Sequence, residues 1–562
     1  MARVTGQLRR EKDEVVASNG AVTTKHAIAS HAAVDVLERG GNAVDAAVVA
    51  QLCIGVLLPH ASGIGGGGYL VFHESASGET HIVDYANQSP AAATALAYPA
   101  HPEGGFGSSQ GWRRVASDIN LRGWRSMAVP GVVAGLSLAL ERWGTLTWAQ
   151  ALIPAICIAE EGAPLPGETA NQMLADWPML LDHPSSFATF TDGGRPRRAG
   201  EKVRYLRLAQ TLRRLSAAGS DDFYRGGLAR EIAEDMATHG GHIVAEDLAR
   251  YLPRLAEPPL ELNYRGVILR APRASCGAIT ALQTLALLRE FDVAAIGSGS
   301  AETIHLWDVA TRLAFADRHT YVGDSERIDV PWTGLLSDEY ATERRCLISS
   351  GVTSTGYAAG DPWRFEGRPA TVRYAASHPW ETHGTQHLNV VDRQHNLVSM
   401  TDTTVGWSGV VLPRTGIVWN NAITWHDPEP GRAASIAPHS RGLNNMAPVV
   451  LVRDGMPWAA VGARGGRHIT GTVAQVISNL VDHGMGIQAA VSAPMSDSSH
   501  PSTHIDSRIP MDVRAALEAR GHRLAVKEGR AGAGPGGVLI DRKQGNFHAG
   551  EDPSGESAAV GY

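Results

Sequence analysis

Apolar positions along the chain pass from helical spacing to strict alternation as the sequence proceeds. Val15 to Ala17 reads as a short strand, followed by a helix near Thr24 to Arg39 that Gly40-Gly41 ends. Asn42 is placed to cap a second helix, Ala43 to Leu57. From Ser300 to Phe315, the residues Ile304, Trp307, Ala310, Leu313 and Ala314 recur at helical spacing. Beyond about residue 384 strands dominate: His387 to Asp392, Leu397 to Thr403, Gly416 to Asn420 and Met446 to Val452, with a helix from Ile469 to Val481. Both kinds of element occur in each half, which predicts an α+β architecture of sheets covered by helices. No proline-rich linker separates the halves, so two intertwined parts are expected rather than beads on a string.

Composition narrows the function classes. The chain has 562 residues, past what a single compact core usually holds. Hydrophobic residues make up 43% and charged ones 19%, a balance that excludes wholesale disorder. Fifty Lys and Arg against 57 Asp and Glu leave −7, so no basic field favours nucleic acid or an anionic membrane. Cys53, Cys157, Cys276 and Cys346 lie far apart with no CxxC pair, which argues against a disulfide scaffold or a structural metal. Cys276 has no evident base partner and is expected to be structural; Arg195, Arg197 and Arg198 are expected on a solvated face.

Histidines number 23, yet no HExxH or comparable spacing occurs, so neither metal nor cofactor is expected. His500 and His504, in a Ser/Pro-rich loop, are expected to be solvated. The first 14 residues are charged where a signal peptide needs an apolar run, and the apolar stretch Ala46 to Leu58 is too short to span a bilayer. A cytoplasmic protein is the expectation.

The chemistry concentrates late in the chain. Thr385 to Asp392 leads into the polar turn Arg393-Gln394-His395-Asn396, and Leu397 to Thr404 returns. With a four-residue turn the paired numbers sum to 789, placing Gln386 opposite Thr403 and Thr385 opposite Thr404, to within about one residue of register. Two or three threonine hydroxyls would then converge at the hairpin's open end, although threonine is also simply a good strand former. The second feature is the strand from Trp458 that runs into Gly465-Gly466 and then a helix with Ile469, Val473, Val476, Ile477 and Leu480 on one face. Backbone amides at such a turn can hold a developing oxyanion or a phosphate. The glycines Gly65 to Gly68 precede a strand, Tyr69 to Phe72, which is the wrong order for a phosphate loop and fits a tight backbone crossing.

Together these segments resemble the γ-glutamyltranspeptidase family along most of the chain. Gly40 to Ala47 and Ser62 to Tyr69 look like its N-terminal signatures, and Val129 to Gly135, Asp222 to Gly226, Glu246 to Leu248 and Tyr264 to Gly266 look like its middle. Ala316-Asp317-Arg318, Gly323-Asp324, Thr385 to Asp392, Asn420-Asn421, Asn445 to Pro448 and Gly465-Gly466 follow in the family's order. The resemblance implies an N-terminal-nucleophile hydrolase with a four-layer αββα sandwich, made as one inactive precursor. It implies autocatalytic cleavage between Gly384 and Thr385 into a large subunit, 1–384, and a small subunit, 385–562, that stay together as a heterodimer. Thr385 becomes the nucleophile, Thr403 positions it, and the amides of Gly465 and Gly466 form the oxyanion hole. Gly384 offers no side chain to obstruct the attack, and the freed α-amine, with an ordinary pKa of about 8, can serve as base.

Several positions that grip the γ-glutamyl group in the family are altered. The arginine for the substrate α-carboxylate falls on Ala86, the asparagine beyond the second threonine on Val405, and the glutamine and aspartate after Asn420-Asn421 on Ala422 and Trp425. The paired serines become Asn444 and Asn445. The segment between Trp425 and Gly442 looks shorter than the family's lid loop, and His426 to Gly431 suggests a rigid open rim. Arg464 and Arg467 either meet a substrate carboxylate or face solvent at the turn. These departures point to a small-molecule amide or acyl substrate other than a γ-glutamyl donor. Relatives with altered pockets cleave glutaryl side chains of cephalosporins or the amide oxamate. Others, in lincosamide and pyrrolobenzodiazepine antibiotic pathways, cleave a carbon–carbon bond beside a carbonyl. An ordinary γ-glutamyl hydrolase or transpeptidase, and a non-catalytic binding protein on this scaffold, are the remaining readings.

Overall fold

The structure, a computed structural model, describes residues 11–107, 112–348, 356–370, 372, 374 and 385–562. The strands that build it are β1 (Val15–Ala17), β2 (Ala21–Thr24), β3 (Gly67–His73), β4 (Thr80–Tyr85), β5 (Arg254–Leu255), β6 (Leu260–Tyr264) and β7 (Val267–Ala271). After residue 384 come β8 (Gln386–Val391), β9 (Leu397–Thr403), β10 (Val449–Arg453), β11 (Met456–Arg464), β12 (Ser496–Asp497), β13 (Thr503–Asp506), β14 (Leu524–Lys527), β15 (Gly534–Asp541), β16 (Asn546–Glu551) and β17 (Ala558–Gly561). One seven-stranded sheet runs β1-β16-β15-β11-β10-β7-β6 and the other β17-β2-β8-β9-β3-β4-β5. Each sheet therefore mixes strands from before and after residue 384, so the two parts are interleaved as expected.

Side-chain alternation assigns the faces. On β8 and β9, Val391 and Leu397 pack with Val450, Ala460, Val538 and Phe547 of the other sheet, filling the space between the two. Leu388, Val390, Val398 and Met400 point the opposite way, against the helices α1 (Ala27–Glu38) and α2 (Ala43–Leu57). The second sheet is covered by α3 (Ala278–Leu288) and α5 (His468–Val481), whose Leu282, Val473 and Ile477 join Leu451 and Val461 in a third apolar layer. The result is the helix–sheet–sheet–helix sandwich that the resemblance implies.

Asn42 caps α2 as expected: its Oδ1 accepts from the Val44 and Asp45 amides at 2.9 and 3.1 Å, and Asp45 returns a bond to the Asn42 amide. Packed on α3 is α4 (Ala301–Tyr321), which runs past the expected end at Phe315. The added turn carries Asp317 and Arg318, which break the apolar pattern yet are buried. Asp317 accepts from Gln283 at 2.6 Å and from the Gly360 amide at 2.9 Å. The expected strand Gly416 to Asn420 is not one. Only Val418 bridges, to Val411, because the segment folds back on 408–412 through single bonds such as Leu412 to Ile417.

Candidate active site

The hairpin β8–β9 brings the threonines together, one residue away from the expected register. Its pairs sum to 788: Gln386 faces Asp402 and Val391 faces Leu397. Asp392 belongs to the turn rather than the ladder. Its carboxylate accepts from the amides of Gln394 and Asn396, each at 2.9 Å, and His395 takes up the extra residue at φ 66°. Continuing this register past the ladder sets Thr385 opposite Thr403, not Thr404. Thr404 turns away and donates to the His60 carbonyl at 2.8 Å.

By the two-residue period, Thr385 and Thr403 share the face of His387 and Thr401, which looks toward the other sheet. Contacts across the sheets set the direction. Ser399 donates to the Val461 carbonyl at 3.0 Å, and the His387 ring lies over Gly462, where a Cβ would meet its Cε1 at 2.1 Å. Stepping from Ser399 through His387 to Thr385 thus moves along β11 toward Arg464 and the glycine turn. Gly465 (φ 133°) and Gly466 (φ 60°) make that turn ahead of α5, a backbone that side-chain-bearing residues rarely adopt. Among the described residues neither glycine amide has an acceptor.

Thr385 is buried, and its carbonyl lies 3.4 Å from Lys25 Nζ. Lys25 pairs with Glu168 Oε1 at 2.5 Å, and Glu168 Oε1 also lies 3.5 Å from His60 Nε2. Burial lowers the Lys25 pKa against the pull of Glu168, and burial likewise keeps His60 below the usual imidazole range. Thr403 Oγ1 accepts from the Val405 amide at 2.7 Å, which holds Val405 at φ 71°, an outlier for a β-branched residue. Gly66 runs so close that a Cβ there would lie 2.5 Å from the Thr403 carbonyl, as the tight-crossing reading of that glycine run requires.

The altered clamp positions all lie in the core. Ala86, Val405, Ala422 and Trp425 are all buried members of the apolar cluster that also holds Tyr69 and Leu443. Near Ala86 the buried Arg441 is neutralised by Asp84 at 2.7 Å. Asn444 is spent on the fold, donating to Tyr69 Oη at 2.8 Å and the Ser275 carbonyl at 2.9 Å. Asn445 Oδ1 accepts from Arg318 Nη1 at 2.8 Å. Arg318 is fully buried, and desolvation draws its pKa down to about 10.

Neither Arg464 nor Arg467 faces solvent. Arg464 is held by Glu551 at 2.5 Å and Asp552 at 3.6 Å, which makes it an internal partner, while Arg467 lies over the Phe315 ring at 5.1 Å with Arg318 over the same ring at 5.7 Å. The segment after Trp425 is not an open rim either. It folds on itself through Asp427 to Ala434 and Ile436, and its far end pairs Ser440 with Ser89. His500 and His504 are half-buried with their rings 4.4 Å apart, against the expectation of solvated side chains. The thiol of Cys276 is buried and pushed up to about 12, which suits a structural role, and Arg195 is exposed beside Asp192 and Glu201. Gly384, the other half of the expected cleavage site, lies outside the described residues.

Sequence reasoning missed Lys25, Glu168 and His60, which meet only through the fold and carry no local motif, and it missed the burial of Arg318. No described helix is long and apolar enough to cross a membrane.

The profile of the Gamma-glutamyltranspeptidase family matches residues 29–562. The chain is 32% identical to a glutathione hydrolase proenzyme of Bacillus subtilis (strain 168) over 551 residues, 97% of this chain and 92% of the relative. It is 35% identical to the acylase ACY 1 proenzyme of Pseudomonas sp. (strain SE83) over 535 residues, 94% and 91% of the two chains. Among solved structures, cephalosporin acylase from Bacillus halodurans superposes with a TM-score of 0.87 at 27% identity, covering 100% of this chain and 99% of the other.

Proposed function

Because the chain belongs to the γ-glutamyltranspeptidase family of acyl hydrolases and transferases, we propose that it is a self-cleaving acylase whose nucleophile is the hydroxyl of Thr385 and whose acyl donor lacks the α-amino acid head of a γ-glutamyl group. In the precursor, Thr385 Oγ attacks the carbonyl of residue 384, and the resulting ester is hydrolysed to leave Thr385 as a new amino terminus. In turnover the neutral α-amine takes the proton from Oγ as the hydroxyl attacks the substrate carbonyl. The amides of Gly465 and Gly466 receive the developing oxyanion, and the departing amine regains the proton. Water then releases the acyl group.

The observation that carries the substrate assignment is that Ala86, Val405, Ala422 and Trp425 are all buried apolar members of the same core cluster, so none of the four positions offers a charge. An α-ammonium buried there would lack a partner, at a cost of about 3–5 kcal/mol. Such a loss amounts to about two to four powers of ten in kcat/KM. Arg318 and Arg467, both against Phe315, concentrate positive charge beside the glycine turn, which suits an acyl group ending in a single carboxylate. A comparison of glutaryl-p-nitroanilide with γ-glutamyl-p-nitroanilide, which differ only by the α-amino group, tests this directly. The glutaryl compound should be preferred by about 100-fold or more. Turnover of the γ-glutamyl compound at ordinary enzyme rates contradicts the reading.

A further inference from the structure

His468, the first residue of α5, directly follows the Gly465–Arg467 turn, and beside it stands the small sheet β12-β13-β14. Asp497 on β12 and His504 on β13 are cross-strand partners in that sheet, and His500 lies in the connection between them. One ligating atom from each of these four residues lies within 4.8 Å of every other. His468 Nδ1 is 2.9 Å from Asp497 Oδ2. The His468 ring centroid lies 5.1 Å from that of His500 and 5.8 Å from that of His504. We propose that His468, Asp497, His500 and His504 bind a divalent transition-metal ion of the zinc class.

Three imidazoles and one carboxylate form a donor set that suits zinc, cobalt or nickel rather than magnesium or calcium. A tetrahedral ion with bonds of about 2.1 Å needs its ligand atoms about 3.4 Å apart, so a contraction of at most about 1.4 Å in any pair closes the site. Two atoms in the cluster are otherwise unaccounted for. Asp497 is 3% exposed, and its Oδ1 has no hydrogen-bond partner, while Oδ2 already accepts from the Ser499 hydroxyl at 2.8 Å. His500 Nε2 is likewise buried without a partner.

The surrounding bonds fix the ligands' backbone in advance. Arg312 donates to the His500 carbonyl at 2.9 Å and pairs with the buried Asp308 at 2.8 Å. Ser498 and Thr503, each next to a ligand, donate to the same Asp308 carboxylate at 2.5 and 2.6 Å. Such outer partners are what metal sites use to hold ligand geometry. An ion here would pin the start of α5, immediately after the glycine turn.

Untagged full-length protein, stripped with a chelator and titrated with cobalt(II), should take up one equivalent with the intense visible absorption of a tetrahedral complex, and zinc should displace it. His500→Ala/His504→Ala should lose affinity by more than the roughly 10–100-fold that removing an outer partner costs. Asp497→Asn, which keeps the side chain's size, should lose the cobalt spectrum as well, whereas His239→Ala should keep it. Absence of that spectrum in the wild type, or a spectrum and affinity unchanged in Asp497→Asn, overturns the assignment.

Discussion

Replacing Lys25 by methionine tests whether the new amino terminus acts as the base. The ammonium Nζ lies 3.4 Å from the Thr385 carbonyl oxygen. Within one residue the amine nitrogen is about 3 Å from that oxygen, so the two nitrogens are no more than about 7 Å apart. At 7 Å two unit charges repel by about 0.6 kcal/mol in a water-like medium and about 2.4 kcal/mol at an effective dielectric of about 20. Dividing by about 1.4 kcal/mol per unit, a cationic Lys25 holds the α-amine pKa down by about 0.4 to 1.7 units. Methionine keeps the apolar stem and deletes the charge, so the amine pKa rises by that amount. Only the neutral amine is active, and the acid limb of kcat/KM should therefore move to higher pH. Well below that limb the variant should be about 3- to 50-fold slower, with little difference on the plateau. The assay is a pH profile of kcat/KM on fully processed enzyme. An acid limb that stays in place, or moves to lower pH, refutes the assignment of the α-amine as base; a uniform drop at every pH would instead assign Lys25 to substrate binding.

Thr403→Ala removes the acceptor that holds the Val405 amide and should lower kcat by about 100-fold through misplacement of Thr385, while Thr403→Ser should retain most of it; steady-state kinetics on processed protein decide. Burial pushes the Asp402 carboxyl up to about 8, far above its ordinary value, so the stability of the protonated native form is complete at acid pH and is lost as pH rises through about 8. Wild-type stability should fall by about 1.4 kcal/mol per pH unit from this group between about pH 4 and pH 8, a slope that Asp402→Asn flattens in urea unfolding at pH 6 and pH 9. Gly462→Ala places a methyl 2.1 Å from the buried His387 ring and should cost about 1–3 kcal/mol in the same assay, with part recovered when His387 is also shortened to alanine.

Much of this architecture was legible in local patterns. The end of the first helix at Gly40-Gly41, the cap at Asn42 and the limits of α2 and β9 follow from short-range chemistry that the fold leaves unchanged. What local pattern misjudged was decided by side chains reaching across the chain. The hairpin register slipped because the Asp392 carboxylate captures turn amides, and that slip sets Thr385 against Thr403 more directly than the expected pairing. Arg464 and Arg467 stayed open between a substrate contact and a solvated turn because their partners, Glu551 and the Phe315 ring, are remote in sequence. The same distance hid Lys25 with Glu168, and His468 with Asp497. The composition of the clamp positions, by contrast, was readable directly: small and apolar residues at Ala86, Val405 and Ala422 anticipate an apolar cluster without any knowledge of its walls.

Intact-mass analysis of catalytically active protein reaches the central claim most directly. Chains of 384 and 178 residues should be found, the shorter beginning at Thr385, with Thr385→Ala remaining a single inactive chain of 562 residues. Activity that resides in material still joined between residues 384 and 385 would contradict it.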